Sequence, residues 1–127
     1  RGGRTADRME LSLFYGDCAV RSLAGGFAEA LAGTDTMRFL IKGDFSLSEE
    51  DARALAGRFL LVGCEAQSIG SAAVHRILLA EGVAILEGLD LSAAPEGNYV
   101  LCAFPLKLGR SDGAPVRAVL LEEEERV

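Results

Sequence analysis

Two residues that can bind a metal ion lie twelve positions apart in the stretch AVHRILLAEGVAILEGLDL. His75 is the only histidine in the chain, and Glu87 sits inside an apolar run. A buried carboxylate needs a partner or a metal ion, and imidazole with carboxylate is a common ligand set for zinc. The same pair is also compatible with a helix histidine that hydrogen-bonds to Glu87 or to a backbone carbonyl. Because the helical pattern H-E-x-x-H is absent, the spacing alone does not define a metal motif.

The elements around the pair predict how the two side chains can meet. Residues 71–81 have the apolar spacing of an amphipathic helix, and Gly82 follows as a stop signal. Residues 83–89 then predict a strand in which Glu87 shares a face with apolar neighbours. A helix that returns over a sheet can bring His75 close to the end of the next strand. We therefore expect Glu87 to be at least partly buried and within reach of His75.

Strand and helix signals alternate along the rest of the chain. The sequence of residues 48–51 resembles a capping box, which starts a helix that Gly57 ends. The apolar run 59–63 predicts a strand covered on both faces, whereas the alternation in 37–42 predicts a half-buried strand. Further strands are expected at 18–23, 99–108 and 116–121, a helix at 27–32, and a hairpin loop at 109–113. This order predicts a single α/β domain over 1–127, with a mixed sheet flanked by helices.

Composition excludes two classes of partner and indicates a compartment. The net charge is −6 and no basic stripe exists, so we expect no nucleic-acid partner. No apolar stretch approaches the roughly 18 residues that span a bilayer, so we expect no membrane partner. Cys18, Cys64 and Cys102 are widely spaced and contain no C-x-x-C pair, which predicts reduced, mostly buried thiols in a cytoplasmic protein.

Several phrases in the second half of the chain resemble one protein family. The twelve-residue spacing of His75 and Glu87 comes first. LEGLDLS, which contains Glu87, is then followed by PEGNY and by PLKLGRSDGAPVRA. Together they resemble the C-terminal half of the cyclase family, which includes the bacterial kynurenine formamidases. The similarity extends more weakly from about Met9 to Leu121.

The resemblance implies a fold, a metal and a reaction. Family members adopt a swivelling β/β/α fold, form homo-oligomers and hold zinc, or alternatively manganese. The metal activates a water that attacks the amide or lactam carbonyl of a small-molecule substrate, and the formamidases act in tryptophan catabolism. In the family one histidine and one glutamate, twelve apart, come from the C-terminal half as metal ligands, and these correspond to His75 and Glu87.

The chain departs from the family pattern at its N-terminus. The family's other ligands and its catalytic histidine belong to an N-terminal H-x-G-T-H-x-D-x-P motif, which a chain with one histidine cannot contain. The first seven residues resemble the stretch that follows that motif, so we expect the chain to be truncated there and to carry no catalytic residue. Two ligands are too few for tight zinc binding, so we expect the isolated chain to be inactive.

A second polar position follows the buried strand 59–63. Glu65 is predicted to bind substrate, because open α/β sheets often place their sites at strand ends; a loop residue that hydrogen-bonds its neighbours is the alternative. Ser68 is expected to cap the following helix or to bond within the loop, and Cys64 to be a small core residue rather than a nucleophile. The alternative to an enzyme part is a non-catalytic cyclase-like module with an oligomerising or regulatory role.

Overall fold

Six strands form one mixed sheet in the computed structural model, which describes residues 13–105 and 116–122. The strands are β1 (Tyr15–Ser22), β2 (Arg38–Lys42), β3 (Leu61–Cys64), β4 (Ala84–Leu86), β5 (Gly97–Pro105) and β6 (Val116–Glu122); the helices are α1 (Phe27–Ala32), α2 (Glu49–Ala56) and α3 (Ala72–Ala80). The spatial order is β4-β3-β2-β1-β5-β6. The first four of these strands are parallel, and β5 and β6 pair antiparallel. The predicted α/β fold with a mixed sheet is confirmed.

The sheet separates two apolar clusters. On one face, side chains of β2 and β3 such as Phe39 and Val62 pack against Leu55 of α2 and Leu78 of α3. On the other face, a cluster around Leu40 and Leu101 is covered in part by residues 88–94. Each fully buried side chain of this size contributes about 1.5–3 kcal/mol, so burial on both faces holds the parallel strands in register.

Helix caps place the helices where the sequence predicts them. Ser48 Oγ accepts from the Asp51 N–H while the Asp51 carboxylate accepts from the Ser48 N–H, which confirms the capping box. Gly57 ends that helix as predicted. Ser71 caps α3 by accepting from the Val74 N–H at 3.2 Å. A cap of this kind is worth about 1 kcal/mol, so the start of α3 is well defined.

Two expectations about strands are wrong. The strand at 37–42 is not half-buried: β2 is buried along 38–41, because it lies between β1 and β3 with apolar clusters on both of its faces. The strand predicted at 83–89 is only three residues long. Gly88 has a φ of +68°, and its N–H donates to Ala66 O at 2.9 Å, so the chain leaves the strand at this point. Glu87 therefore lies just beyond the end of β4.

Cysteine burial agrees with a reduced protein. Cys18 and Cys64 are buried, Cys102 is partly buried, and all three thiols are free. Among the described residues, no helix is long and apolar enough to cross a membrane. The hairpin loop predicted at 109–113 lies outside the described residues.

Candidate metal centre

The fold brings His75 and Glu87 together at the carboxyl edge of the parallel strands. Helix α3 begins just after β3 ends, so its first turns lie at the edge where β4 also ends. His75 is the fourth helical residue after the Ser71 cap, and Glu87 is the first residue after β4. The His75 Nε2 and Glu87 Oε2 atoms are 2.8 Å apart. Open α/β sheets commonly bind ligands at this edge.

The hydrogen bonds of His75 fix its protonation pattern. Nδ1 lies 2.9 Å from the carbonyl oxygen of Ser71, and a carbonyl only accepts, so Nδ1 carries a proton. A neutral imidazole has one proton, which leaves a lone pair on Nε2 facing the Glu87 carboxylate. Two acceptors cannot face each other at 2.8 Å without a proton or a metal ion to bind both. Either His75 Nε2 and Glu87 Oε2 share a proton, or a metal ion takes the place of that proton.

Hydrogen bonds and the neighbouring carboxylate raise the pKa of His75. The Ser71 carbonyl raises the pKa of His75 above its ordinary value, partial burial opposes this, and the Glu87 carboxylate raises the pKa further. The side chains of both residues are 31% exposed. The pair thus lies at a site that solvent can reach, where a metal ion can compete with a proton for Nε2.

Glu87 is held by one backbone group and retains binding capacity. The Ile69 N–H donates to Oε2 at 2.8 Å. Within 13–105 and 116–122, no residue donates to the second oxygen, Oε1. The loop before α3 that supplies this N–H is closed by Ser68, whose hydroxyl donates to Gly70 O at 2.8 Å. Ser68 therefore bonds within its loop, and the helix cap is Ser71.

The donor set fits a divalent metal ion. Ligand histidines commonly donate their other ring N–H to a backbone carbonyl, as Nδ1 does to Ser71 here, which orients Nε2 and raises its basicity. A carboxylate and an imidazole facing one another suit zinc or manganese. The described part of the chain contains no group of three or more histidine, cysteine, aspartate or glutamate side chains that can hold a metal. The pair provides two ligands of an incomplete set.

Glu65 lies at the same edge but does not contact the pair through any described hydrogen bond. Its Oε1 accepts from the Gly43 N–H at 2.8 Å and its Oε2 accepts from the Leu91 N–H at 2.7 Å. The prediction that Glu65 binds substrate stays a prediction. The neighbouring thiol of Cys64 is fully buried, and burial raises its pKa to about 11, so Cys64 is a core residue as expected.

Sequence reasoning missed the backbone groups that build this edge. The carbonyl of Ser71 and the N–H of Ile69 orient the pair, and Lys42 Nζ donates to Ala94 O at 2.6 Å beyond the Glu87 loop. Of these groups, only Ser71 could have been found from the sequence, because a serine directly before a helical pattern is a typical helix cap. A groove of about 500 Å³ begins at Gly88 on the sheet face opposite the helices.

The comparisons with known proteins agree on one family, although no protein-family model matches the chain. The kynurenine formamidase of Salinibacter ruber is 32% identical over an alignment of 146 positions. This alignment covers 94% of this chain and 69% of that protein. The kynurenine formamidase of Polaromonas naphthalenivorans is 46% identical over 68 residues, which cover 50% of this chain but only 30% of that protein. The chain thus spans less than a third of the Polaromonas relative and about two thirds of the Salinibacter one.

Two solved structures share the fold. A potential metal-dependent hydrolase with cyclase activity superposes with a TM-score of 0.77 at 30% identity, over 94% of this chain and 71% of that one. A predicted metal-dependent hydrolase from Bacillus stearothermophilus superposes with a TM-score of 0.72 at 32% identity, over 87% of this chain and 65% of that one. Both of these neighbours are named as metal-dependent hydrolases.

Proposed function

Because this chain belongs to the kynurenine formamidase-like cyclase family, we propose that it is part of a metal-dependent hydrolase of a small amide or lactam. His75 and Glu87 are its contribution to a divalent metal site, with zinc as the metal and manganese as the alternative. Such an ion lowers the pKa of a coordinated water, which supplies the nucleophile for hydrolysis. The single observation that carries the proposal is the facing pair of Nε2 and Oε2, which need a proton or a metal ion to bind both atoms.

Each residue of the pair has a defined task in this proposal. Ser71 O holds the Nδ1 proton of His75, so that Nε2 presents its lone pair to the metal. The Ile69 N–H orients the Glu87 carboxylate so that Oε2 faces Nε2 of His75. Glu65, at the same edge, is proposed to line the substrate site, directly or through the loops it holds. We assign no catalytic residue within this chain.

The remaining ligands are proposed to come from a segment of the H-x-G-T-H-x-D-x-P type. Catalytic zinc takes about three protein ligands plus water, and His75 is the only histidine of this chain. The isolated chain is therefore expected to bind zinc poorly and to lack hydrolase activity. A cytoplasmic homo-oligomer acting in tryptophan catabolism also stays a prediction.

The test compares His75→Ala and Glu87→Gln with the parent full-length protein. Both variants are expected to lose stoichiometric zinc, measured by elemental analysis, together with hydrolysis of an aryl formamide. Arg76→Ala, the next residue of the same helix and exposed, is the matched control and is expected to keep both. Zinc content and rate that are unchanged in His75→Ala contradict the proposal.

One observation favours a second candidate, a non-catalytic module with an oligomerising or regulatory role. The pair satisfies itself as an imidazolium and a carboxylate, and the described residues offer no third ligand. In that case the full-length protein binds no zinc, and His75→Ala changes neither metal content nor oligomeric state. Metal analysis of the full-length protein therefore separates the two candidates.

A further inference from the structure

We propose that Glu65 is a positioning residue that fixes the loop carrying Glu87, an inference that rests on the proposed metal site. Glu65 follows β3 directly, and its two oxygens bond to two other loops. Oε1 accepts from Gly43, which follows β2, and Oε2 accepts from Leu91, which lies four residues after Glu87. One carboxylate thus joins the chain ends that follow β2, β3 and β4.

The loop after Glu87 depends on a small number of attachments. Gly88 takes a φ of +68°, so the chain turns immediately after the candidate ligand. The Gly88 N–H donates to Ala66 O at 2.9 Å and the Leu89 N–H donates to Cys64 O at 3.0 Å. Both of these backbone bonds end on the segment that contains Glu65. The segment 64–66 is therefore the platform on which the Glu87 loop rests.

The carboxylate of Glu65 is committed to this task. Hydrogen bonds from N–H groups to an ionised carboxylate are about twice as strong as neutral ones, and Glu65 accepts two of them at 2.7 and 2.8 Å. A substrate group must compete with these donors for the remaining lone pairs. The contacts therefore favour action through the loop over direct contact with substrate.

Holding Glu87 in place matters because its distance to His75 is short and specific. Oε2 of Glu87 lies 2.8 Å from Nε2 of His75, and the α3 side of the pair is fixed by the Ser71 cap. On the strand side, β4 has already ended, so the loop bonds act together with the Ile69 N–H to position the carboxylate. Removing a hydrogen bond made directly to a metal ligand changes metal affinity about 10- to 100-fold, and Glu65 acts one step further out, so we expect the lower end of that range.

The test measures zinc affinity of the full-length protein by competition with a chelating dye, in Glu65→Gln and Glu65→Asp. Gln removes the charge and turns an NH₂ group toward one of the two backbone donors. Asp keeps the charge but is one methylene shorter, so it cannot reach both Gly43 and Leu91. Positioning predicts that each variant loses about tenfold in zinc affinity. Amide hydrogen exchange of the metal-free variants is expected to be faster at Leu91, while protection in β2 and β3 shows that the fold is intact.

Glu96→Gln is the matched control. Its Oε1 accepts from the Ser22 N–H at 2.9 Å, so it makes the same kind of bond at the far end of the connection between β4 and β5, against β1 instead of the segment 64–66. Its zinc affinity is expected to equal that of the parent.

Three results overturn the inference. Zinc affinity unchanged in both Glu65 variants means that Glu65 does not position the ligand, and a raised KM with unchanged zinc affinity means that it contacts substrate. A loss in Gln but not in Asp means that charge acts rather than geometry. His75→Ala is measured in parallel: if it loses zinc while the Glu65 variants keep it, only the Glu65 inference fails, and if it keeps zinc, the proposed function fails first.

Discussion

The two edges of the parallel strands each hold a basic side chain beside a carboxylate, and the pairs differ in how deeply the basic side chain is buried. At the amino edge, Arg38 is 5% exposed; its Nε donates to Leu13 O at 3.0 Å and its Nη1 donates to both the carbonyl and Oδ1 of Asp17 at 3.2 Å. At the carboxyl edge, the side chains of His75 and Glu87 are each 31% exposed.

The difference separates a structural pair from a candidate functional one. The guanidinium of Arg38 cannot lose its charge and is enclosed by carbonyl and carboxylate oxygens, so it stabilises the chain before β1. His75 can exchange its second proton for a metal ion, whereas the Arg38 guanidinium cannot, and the carboxylate of Asp17 is itself 52% exposed. A short distance between a basic and an acidic side chain therefore says little about function until the chemistry and burial of the basic side chain are considered.

The largest expected effect on stability comes from Arg38 at the amino edge. Arg38→Met is expected to lower the free energy of unfolding by about 3 kcal/mol, because it removes the donor of three part-buried hydrogen bonds to Leu13 and Asp17. Urea unfolding measures this loss, and zinc affinity of the full-length protein is expected to stay unchanged. Arg53→Met, which breaks only an exposed ion pair with Glu49, serves as the control with a cost below about 0.5 kcal/mol. Equal costs in the two variants erase the contrast.

The second-largest expected effect on stability comes from substitution of Gly63, which lies in β3 next to the carboxyl edge. A Cβ on Gly63 stands 2.7 Å from Leu40 Cδ2 and 2.9 Å from Leu89 Cδ1, so Gly63→Ala overpacks the region under the Glu87 loop. We expect a loss of about 1–3 kcal/mol in stability and weaker zinc binding in the full-length protein. Gly57→Ala, whose Cβ meets nothing closer than 4.0 Å, is expected to change neither. Full zinc affinity in Gly63→Ala shows that the site tolerates displacement of Leu89.

The pH dependence of stability above pH 9 tests the burial of Cys18, which follows Asp17 in β1. Burial raises the pKa of this thiol from 9.0 to about 12, so above pH 9 the unfolded chain loses the proton while the folded chain keeps it. Stability from this group is complete below pH 9 and is lost progressively up to about pH 12. By pH 10 the loss is on the order of 1 kcal/mol. Cys18→Ala is expected to flatten that part of the pH profile of unfolding, and an unchanged slope contradicts the assignment.

The smallest effect belongs to the candidate metal pair itself. His75→Ala is expected to change the free energy of unfolding of the metal-free protein by less than about 1 kcal/mol, because the ion pair is partly exposed. Thermal unfolding without metal measures it. A loss as large as that of Arg38→Met indicates that His75 and Glu87 hold the fold together, and it removes the distinction between the two edges.

Much of the fold follows from local signals in the sequence. Caps at Ser48 and Gly57 set the bounds of α2, and the apolar run at 59–63 predicts a buried strand that the structure places at 61–64. Such signals succeed because they depend on neighbours within a few residues. The burial of β2 was missed, since its alternating pattern reports side-chain type and not what packs on the polar-looking side.

The sequence by itself determined that His75 and Glu87 are the residues to consider, since one is the only histidine and the other an acid in an apolar run. Only the tertiary structure decided that His75 Nε2 and Glu87 Oε2 lie 2.8 Å apart and that β4 ends before Glu87. It also decided that both carboxylate oxygens of Glu65 accept hydrogen bonds from distant backbone N–H groups. The reason is physical. Residue type fixes which chemistry is available, whereas donors and acceptors 12 to 26 positions apart find each other only when the strands align their ends.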